Sequence, residues 1–531
     1  MTTFDAFWLP GYTPSAETAW WTVEASDVVA RAPRLTVTDV AALVDRLRCV
    51  QRDYLRRLTV EQIAERLGAA VNRWLDPFSP YLHRACRLIP AFTGYPEPAV
   101  RKGLAAYLAS FRTENLRRLL RDELGDPEML DGFRSRLAAI GWTHATGPAL
   151  VLHSFAGNMP GLPAQSLVAA TLVKAASLGK VAAEEPVFGA LFARSLADVD
   201  PQLAAGLALT YWPGSEAAVE GSPAAAAFDQ ADVVVAYGSE QAISAVRRRV
   251  GPDRRLIAYG HKLSFGLLTR ERLGLAELGD LAERAAYDVA RFDQQGCLSP
   301  HLFYVEAGGE VDAMRFGQAL ATALDRWSTV VPRGRLTPEE RGRVADLRRQ
   351  QAFRAALAAP PSEAPAEGQA PADHRDAVVD ELPLQQATRA VFGAPDDDWC
   401  VLVEDDPMFS ASCLNRTVWV KPLAGVSTLP ALLTPVRGYL QTTGVAAEPG
   451  RLPTVAALLA EAGVDRVCPL GQMGDPPPTW HHDGRFNLLD FLRFTDLEPE
   501  SSAGRWEFGR PKAGLLGIAH PVVAKEGDWH A

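Results

Sequence analysis

The stretch Val233-Val234-Val235-Ala236-Tyr237-Gly238-Ser239-Glu240 decides the fold class. Its apolar run predicts a buried strand, and the Gly-Ser pair ends that strand. A helix is expected to follow through Val250, with Ser239 at its start. A buried strand that leads directly into a helix is typical of a parallel sheet covered by helices on both faces.

The alternation of strands and helices extends outward from this stretch. Further strands are expected at 149–152, 179–183, 207–211 and 302–305, with helices at 162–176, at 186–196 and up to about residue 293. Residues before about 125 are predicted to be mostly helical, and Thr59 followed by Gln62 forms a capping-box pattern there. The Pro-, Ala- and Glu-rich stretch 359–373 is expected to be a disordered surface insertion.

Composition narrows the class of protein. A chain of 531 residues predicts two or three domains. The net charge of −10, from 54 Lys and Arg against 64 Asp and Glu, argues against nucleic acid or an anionic membrane as the main partner. No apolar stretch reaches the ~18 residues that span a bilayer, and the N-terminus lacks a secretory signal pattern. None of the six cysteines forms a C-x-x-C pair. We therefore expect a reduced, cytoplasmic protein without a structural metal.

Cys297 lies in the segment Gln294-Gln295-Gly296-Cys297-Leu298-Ser299-Pro300, between a predicted helix and a predicted strand. Loops at such positions often present catalytic nucleophiles. A free thiol is only weakly acidic, so a nucleophilic cysteine needs a helix end, amides or a cation to favour its thiolate. A lone cysteine is more often a buried structural residue, and that alternative stays open on these residues alone.

Asn158 lies in the segment His153-Ser154-Phe155-Ala156-Gly157-Asn158-Met159-Pro160, directly after an apolar strand. The loop is therefore expected at the carboxyl edge of a parallel sheet, where ligands bind. The Asn158 amide could donate to a developing oxyanion. An ordinary turn made of Gly, Asn and Pro is the alternative.

Gly238, Ser239, Lys180 and Glu184 are candidate cofactor-binding residues. The turn at Gly238 and Ser239 opens a helix whose first amides could attract a phosphate, although a plain Ser cap explains it too. Lys180 at a strand end could bind a ribose or phosphate, and Glu184 could contact a ribose hydroxyl, although a solvated lysine is more common. The usual glycine fingerprint for dinucleotides is absent.

The segment Trp480-His481-His482-Asp483-Gly484 invites a metal or catalytic-triad interpretation. No other cluster of His, Cys, Asp or Glu supplies a third metal ligand at a spacing typical of metal sites. A structural turn is therefore favoured here.

Taken together, these motifs resemble the long-chain acyl-CoA reductases of bacterial luminescence (LuxC-type), a family of the aldehyde dehydrogenase superfamily. The resemblance covers roughly residues 148 to 490. It rests on Gly157-Asn158-Met159-Pro160, Gly179-Lys180, Glu185-Pro186, Asp198-Val199-Asp200-Pro201, Tyr237-Gly238-Ser239, Tyr259-Gly260-His261-Lys262-Leu263-Ser264-Phe265, Asp293-Gln294-Gln295-Gly296-Cys297-Leu298-Ser299-Pro300, Val464-Asp465-Arg466-Val467-Cys468-Pro469-Leu470-Gly471 and His482-Asp483-Gly484.

The resemblance implies an α/β, aldehyde dehydrogenase-like fold. It would comprise a helical N-terminal region at 1–130, a parallel-sheet nicotinamide cofactor domain at 131–260 and an α/β catalytic domain at 261–475. A C-terminal segment at 476–531 would return to the body. The active site would lie between the cofactor and catalytic domains.

The resemblance also implies residue roles and a cofactor. Cys297 would be the nucleophile, Asn158 would hold the oxyanion together with the Cys297 backbone N–H, and Lys180 would bind the ribose and phosphate side of the cofactor. Gly238 and Ser239 would lie near its phosphates. NADPH as the cofactor follows from the family rather than from a residue of this sequence.

One departure from the superfamily bears on the reaction. Oxidising aldehyde dehydrogenases carry a glutamate base in a Glu-Leu-Gly-Gly segment, whereas the comparable region here is Ala258-Tyr259-Gly260-His261. Without a base that activates water, an acyl-enzyme should survive long enough to receive hydride or return to CoA. His261 could assist proton transfer.

The sequence thus predicts an NADPH-dependent acyl-CoA reductase that carries its acyl group on Cys297. The alternatives are a CoA-acylating aldehyde dehydrogenase working in the oxidative direction, a cysteine acyltransferase or thioesterase without nicotinamide, and a non-catalytic relative. The substrate would be acyl-CoA or another acyl thioester. An acyl-protein synthetase or an acyltransferase is a possible partner, and the superfamily implies a homo-oligomer.

Overall fold

A computed structural model describes residues 1–135, 141–358 and 388–498. The insertion predicted at 359–373 lies outside the described residues, as does the C-terminal segment beyond residue 498. The chain divides into two compact units. Unit 1 contains Met1–Thr93, Val100–His261 and the chain from Pro477 onward, and unit 2 contains Gly94–Ala99 and Lys262–Pro476.

The first half of the chain alternates between strands and helices after a helical stretch. In chain order the elements are β1 Thr2–Asp5, β2 Trp20–Ala25, β3 Val28–Pro33, α1 Val37–Asp53, α2 Val60–Leu75, α3 Pro80–Thr93, α4 Glu97–Ala109, α5 Thr113–Leu124, β4 Arg134–Ser135, β5 Trp142–Thr146, β6 Leu150–Ser154, α6 Pro163–Leu172, β7 Ala176–Lys180, α7 Phe188–Ala197, α8 Pro201–Ala204, β8 Leu207–Thr210, α9 Pro223–Gln230, β9 Val233–Tyr237, α10 Glu240–Arg249 and β10 Arg255–Tyr259.

The second half continues the alternation. Its elements are β11 Leu263–Leu268, α11 Leu278–Ala290, β12 Pro300–Glu306, α12 Ala313–Val330, α13 Pro338–Ala358, β13 Ala390–Phe392, β14 Cys400–Val403, β15 Thr417–Leu423, α14 Leu429–Leu433, β16 Leu440–Ala446, α15 Leu452–Ala462, β17 Arg466–Pro469 and β18 Arg493–Leu497. Short 3₁₀ segments occur at Leu55–Arg57, Pro127–Leu130, Gly214–Ala218, Arg270–Arg272, Arg291–Gln294, Val426–Thr428, Thr434–Tyr439 and Leu489–Phe491.

A five-stranded parallel sheet forms the centre of unit 1, in the order β10-β9-β6-β7-β8. The strand predicted at 233–237 is confirmed at those residues, and every side chain in it is buried. Because both faces are covered by helices, such strands need apolar residues at every position rather than at alternate ones. A separate antiparallel sheet of unit 1 has the order β18-β5-β4 and pairs residues 493–497 with residues 142–146, which in turn pair with residues 134–135.

A seven-stranded sheet forms the centre of unit 2, in the order β13-β14-β15-β12-β11-β16-β17. Its strands are parallel except for the β13–β14 pair. Residues of β12 alternate between two cores, because successive side chains of a strand point to opposite faces. Phe303 and Val305 pack with α11 and α12, whereas Leu302 and Tyr304 pack with α14 and α15. Parallel sheets flanked by helices confirm the predicted α/β class.

The N-terminal region contains a sheet that the sequence did not predict. Residues before 34 form three strands in the order β1-β3-β2, and the helices α1 to α5 follow. The predicted capping box is confirmed at the start of α2. There the Thr59 side chain accepts from the Gln62 N–H, and the Gln62 side chain accepts from the Thr59 N–H.

Two predicted boundaries in unit 1 are wrong. The helix expected at 162–176 ends at Leu172, and the strand expected at 179–183 is β7, Ala176–Lys180. The reason is Lys174, which adopts a left-handed φ of 61° and pairs its buried Nζ with Asp131 at 2.6 Å. That tertiary contact ends the helix inside a run of apolar residues that carries no local stop signal.

No helix in residues 1–135, 141–358 and 388–498 has the length and hydropathy needed to cross a membrane.

Candidate active site

The five parallel strands of unit 1 present their carboxyl ends at one edge of the sheet. Asn158 follows β6, Lys180 is the last residue of β7, and Gly238 follows β9. The strand order reverses between β6 and β9, since the chain runs outward through β7 and β8 and then returns. Ligands of open α/β sheets bind at such a reversal point. The structure therefore brings three of the predicted site segments to one edge.

The loop that carries Asn158 packs against the segment that follows β7. The backbone N–H of Phe155 donates to the Lys180 carbonyl oxygen at 3.1 Å. A Cβ added at Gly157 would lie 2.6 Å from the Cβ of Glu184, so only glycine allows this close approach. Asn158 itself is exposed. Its loop and Glu184 are thus neighbours, which the sequence alone did not indicate.

Lys180 is a half-buried cation at the end of β7. Burial lowers the pKa of its ammonium group, and the carboxylate of Glu184 opposes that shift. The Nζ atom lies 5.9 Å from the ring centroid of Tyr211, which follows β8. A partly desolvated lysine side chain beside an aromatic face suits contact with a polyol or a phosphate. Tyr211 was not among the predicted site residues.

Gly238 and Ser239 form the turn between β9 and α10. Gly238 has a φ of 156°, and its N–H donates to the Tyr259 carbonyl oxygen at 3.2 Å. Ser239 caps the helix, because its Oγ accepts the N–H of Ala242 at 3.3 Å. The Ser cap that the sequence allowed is therefore present. The first-turn amides of such a helix favour an anion.

Glu185, next to Glu184, is a buried carboxyl group with a local structural role. Its Oε1 accepts the N–H groups of Val187 and Phe188 at 3.0 and 2.9 Å, and it is 3% exposed. Burial raises its pKa to about 7, although the two backbone hydrogen bonds act in the opposite direction. Glu185 thereby fixes the start of α7, shortly after Glu184 in the chain.

The predicted turn around His482 is present in unit 1. His482 pairs with Arg485 across a turn in which Asp483 has a φ of 54°. The His482 ring stacks on Tyr259 with centroids 4.2 Å apart, and its Nδ1 lies 2.7 Å from Gln165 Nε2. Over the described parts of the chain, no group of three His, Cys, Asp or Glu side chains could hold a metal ion.

His261 lies two residues after β10, where the second stretch of unit 1 ends, and its side chain is exposed.

Cys297 lies in unit 2, on a loop between a 3₁₀ segment and β12. The thiol is half-buried, and none of the six cysteines forms a disulfide bond. The Ser264 hydroxyl donates to the Cys297 carbonyl oxygen at 2.7 Å. The loop turns tightly, because the Ser299 N–H donates to the Gly296 carbonyl oxygen at 3.0 Å. The predicted placement of Cys297 after a helix and before a strand is confirmed.

The nucleophile loop has a second anchor that the sequence did not reveal. Gln294 Nε2 donates to the Pro300 carbonyl oxygen at 2.8 Å and closes the loop across its base. Gln295 Nε2 donates to Asn415 Oδ1 at 2.9 Å. Asn415 is 120 positions away along the chain, and no local pattern marks it. The predicted site residues therefore belong to two units: Cys297 to unit 2 and the others to unit 1.

The model of one protein family, described as acyl-CoA reductase (LuxC), matches residues 55–370 and 361–494. The chain belongs to this family. Among named relatives of the LuxC family, the long-chain acyl-protein thioester reductase of Aliivibrio fischeri is 23% identical over 452 residues, 83% of each chain. The reductase of the same name from Photorhabdus laumondii is 24% identical over 301 residues, 56% of this chain. The matched stretches span 60% of that protein and 58% of its Vibrio harveyi counterpart.

Solved structures show that this LuxC-family chain has the aldehyde dehydrogenase fold. An NAD-dependent aldehyde dehydrogenase from Sinorhizobium meliloti aligns with a TM-score of 0.69 at 12% identity, over 95% of this chain and 96% of that one. A Mycobacterium tuberculosis aldehyde dehydrogenase complexed with NAD+ aligns with a TM-score of 0.65 at 12% identity, over 95% of this chain and 100% of that one. Both the predicted fold and the predicted family are therefore confirmed.

Proposed function

We propose that this protein reduces long-chain acyl thioesters to aldehydes with NADPH, carrying the acyl group on Cys297. The observation that carries the proposal is the Cys297 loop, which holds a half-buried thiol before β12 and whose Cys297 carbonyl oxygen accepts from the Ser264 hydroxyl. Membership of the acyl-CoA reductase (LuxC) family supports the reaction type. The long-chain substrate class comes from the names of the relatives, which are long-chain acyl-protein thioester reductases.

The first half-reaction transfers the acyl group to the enzyme. The Cys297 thiolate attacks the acyl carbonyl carbon, and a C–S bond forms as the carbonyl oxygen takes the negative charge. The side-chain amide of Asn158 and the Cys297 backbone N–H stabilise that oxyanion, each donor contributing about 3 kcal/mol in comparable sites. The oxyanion collapses, the bond to the departing thiol breaks, and CoA leaves as a thiolate that takes up a proton.

The second half-reaction releases the aldehyde. When bound, NADPH would supply a hydride to the thioester carbon, which would leave a tetrahedral oxyanion on that carbon, still bonded to Cys297 Sγ. The C–S bond then breaks, the carbonyl re-forms, and Cys297 returns to its thiolate. His261 would donate a proton to the released Cys297 thiolate and take it back before the next acylation. No glutamate occupies the comparable region at 258–261, so water is not activated to hydrolyse the thioester first.

We assign the nicotinamide dinucleotide to the edge of the unit 1 sheet. Lys180 and Glu184 would hold its ribose and phosphate side, and Gly238 and Ser239 would lie near its phosphates. Three observations support this assignment. A side chain at Gly157 would clash with Glu184, so the two segments approach closely, the Lys180 side chain is partly desolvated, and Ser239 caps the start of α10. NADPH rather than NADH rests on the family resemblance.

The acyl donor is acyl-CoA or an acyl group presented on a protein. The relatives' names support the second form, and with it a partner that loads the acyl group, such as an acyl-protein synthetase or an acyltransferase. Assembly as a homo-oligomer is part of the same proposal and rests on the superfamily resemblance.

The deciding experiment follows NADPH oxidation and aldehyde formation by the purified protein with acyl-CoAs of increasing chain length. Cys297→Ala should abolish both signals. Cys413→Ala is the matched control, because Cys413 is the other half-buried thiol of the chain and lies outside the proposed chemistry. NADPH oxidation that survives in Cys297→Ala would overturn the thioester mechanism. Acyl labelling of Cys297 without NADPH oxidation would instead establish an acyltransferase.

A further inference from the structure

Two short backbone segments of unit 2 adopt the left-handed conformation without containing a glycine. The first is 292–294, with φ values of 46°, 51° and 63°, and the second is 414–416, with φ values of 64°, 56° and 60°. L-residues rarely adopt this conformation, and runs of three are rarer still, because Cβ crowds the following carbonyl oxygen. A strained backbone conformation of this kind persists only where surrounding contacts hold it in place, and such conformations are concentrated at functional sites.

The two segments are bonded to each other through Asp293. The Asn415 N–H donates to the Asp293 carbonyl oxygen at 3.0 Å, and Arg416 Nε donates to Asp293 Oδ1 at 2.6 Å. Asp293 is 4% exposed and Arg416 is 1% exposed, so this is a buried ion pair. The second Asp293 oxygen accepts the Gly334 N–H at 2.8 Å. A buried, fully hydrogen-bonded carboxylate gives the paired turns one fixed arrangement.

The paired turns are connected directly to the loop of Cys297. Gln295 follows the first turn and donates its amide to Asn415 Oδ1 at 2.9 Å. Gln294 belongs to that turn and reaches across the loop to the Pro300 carbonyl oxygen. The two residues that lead into Gly296 and Cys297 are therefore held from one side by Asn415 and from the other by the start of β12.

We propose that Asn415 is a positioning residue for Cys297, with the Asp293–Arg416 pair as the anchor of its turn. This proposal rests on the proposed function, in which Cys297 is the nucleophile. The Asn415 side chain fixes the Gln295 amide, and Gln295 fixes the backbone that leads into Gly296. Loss of the contact lets the thiol leave its reactive orientation while the sheet and both helical layers stay intact.

The test removes the contact from each side without adding backbone strain. Asn415→Gly deletes the acceptor and places at this φ the residue that adopts it most readily, so the fold should be retained. Gln295→Ala deletes the donor. Leu414→Gly is the matched control, because it relaxes the same left-handed turn and leaves the Gln295–Asn415 contact in place. Each variant is assayed for kcat, for KM towards NADPH and acyl-CoA, and for the pH midpoint of Cys297 alkylation by iodoacetamide.

Both single variants should lose about ten-fold or more in kcat with little change in KM for NADPH, as misplaced reacting groups do. The double variant should lose no more than either single variant, because both remove one shared interaction. The alkylation midpoint should move by the same amount in all three. Losses that multiply in the double variant, an equal loss in Leu414→Gly, or single variants that match the wild type would each overturn the proposal.

Alkylation keeps the two proposals separable. Its midpoint reports the environment of the Cys297 thiol whether or not the protein reduces an acyl thioester. A wild-type protein that oxidises no NADPH with any acyl-CoA, but whose midpoint shifts together in Asn415→Gly and Gln295→Ala, would contradict the proposed function and support the positioning role. An active wild type with an unshifted midpoint in both variants would contradict the positioning role alone.

Discussion

Ser264 Oγ donates a hydrogen bond to the Cys297 carbonyl oxygen across 2.7 Å and accepts the Thr442 N–H at 3.1 Å. Ser264 is fully buried. The hydroxyl therefore joins the nucleophile loop to two neighbouring strands of the unit 2 sheet, β11 and β16.

Ser264→Ala should loosen the Cys297 loop and destabilise unit 2. The buried Thr442 N–H and the carbonyl oxygen of the half-buried Cys297 lose their partner, which costs about 1–3 kcal/mol of unfolding free energy. We expect kcat for acyl-thioester reduction to fall about ten-fold, since small displacements of a reacting group are costly. Ser195→Ala is the control, because Ser195 is an equally buried hydroxyl of unit 1 that accepts from Trp74 Nε1 at 2.8 Å. Equal loss of kcat in both variants would indicate a general stability effect.

Lys180→Met should weaken cofactor binding without affecting acylation. The substitution keeps the length of the side chain and removes the charge that we assign to the ribose and phosphate side of NADPH. KM for NADPH should rise about ten-fold, which corresponds to about 1.4 kcal/mol, while acyl labelling of Cys297 stays at the wild-type rate. Lys102→Met, at an exposed lysine of α4, should change neither quantity. An unchanged KM for NADPH in Lys180→Met would remove Lys180 from the cofactor site.

Much of the α/β frame could be predicted because its signals are local. The strand at 233–237 is a continuous apolar run that ends at Gly238, and the Thr59–Gln62 capping box marks the start of α2. Cys297 could be placed between a helix and a strand for the same reason. Each of these features depends on residues within a few positions of one another.

The remaining features depend on contacts between distant parts of the chain. The helix α6 ends early because Lys174 pairs with Asp131, and Asn415 meets Gln295 from 120 positions away. Tyr211 joins Lys180 only because β7 and β8 are neighbours in the sheet. The strands before residue 34 do not alternate with helices as the later strands do, so no pattern in the neighbouring sequence indicated them. Tertiary pairing of this kind overrides local propensity.

Asn158→Ala should slow both acylation and reduction. Removal of one oxyanion donor typically lowers kcat by about 10²–10³-fold. KM for NADPH should remain near the wild-type value, because Asn158 is assigned to the reacting carbonyl rather than to the cofactor. Single-turnover acylation of Cys297, followed by mass spectrometry of the intact protein, measures the first step directly. Asn72→Ala, at an exposed asparagine of α2, should behave as wild type, and an Asn158→Ala enzyme with wild-type acylation would refute the oxyanion role.

Glu185→Gln should change how stability depends on pH. Burial raises the pKa of Glu185 to about 7 from an ordinary value of 4.5. As the pH rises from 4.5 to about 7, the unfolded chain releases a proton that the folded chain retains, so this carboxyl group increasingly favours unfolding. The full effect, reached above the folded pKa, is about 3 kcal/mol. Glutamine keeps an oxygen that can accept from Val187 and Phe188, and it carries no proton to release.

The difference in unfolding free energy between Glu185→Gln and the wild type should therefore grow with pH. We expect the variant to gain about 3 kcal/mol relative to the wild type between pH 4.5 and 7 and to gain nothing further above that range. Denaturant unfolding at a series of pH values, followed by intrinsic tryptophan fluorescence, measures this difference. All other titrating groups are common to both proteins and cancel in the comparison. A difference that stays constant across the range would mean that Glu185 titrates alike in the folded and unfolded chain, and that the start of α7 is fixed without a buried, protonated carboxyl group.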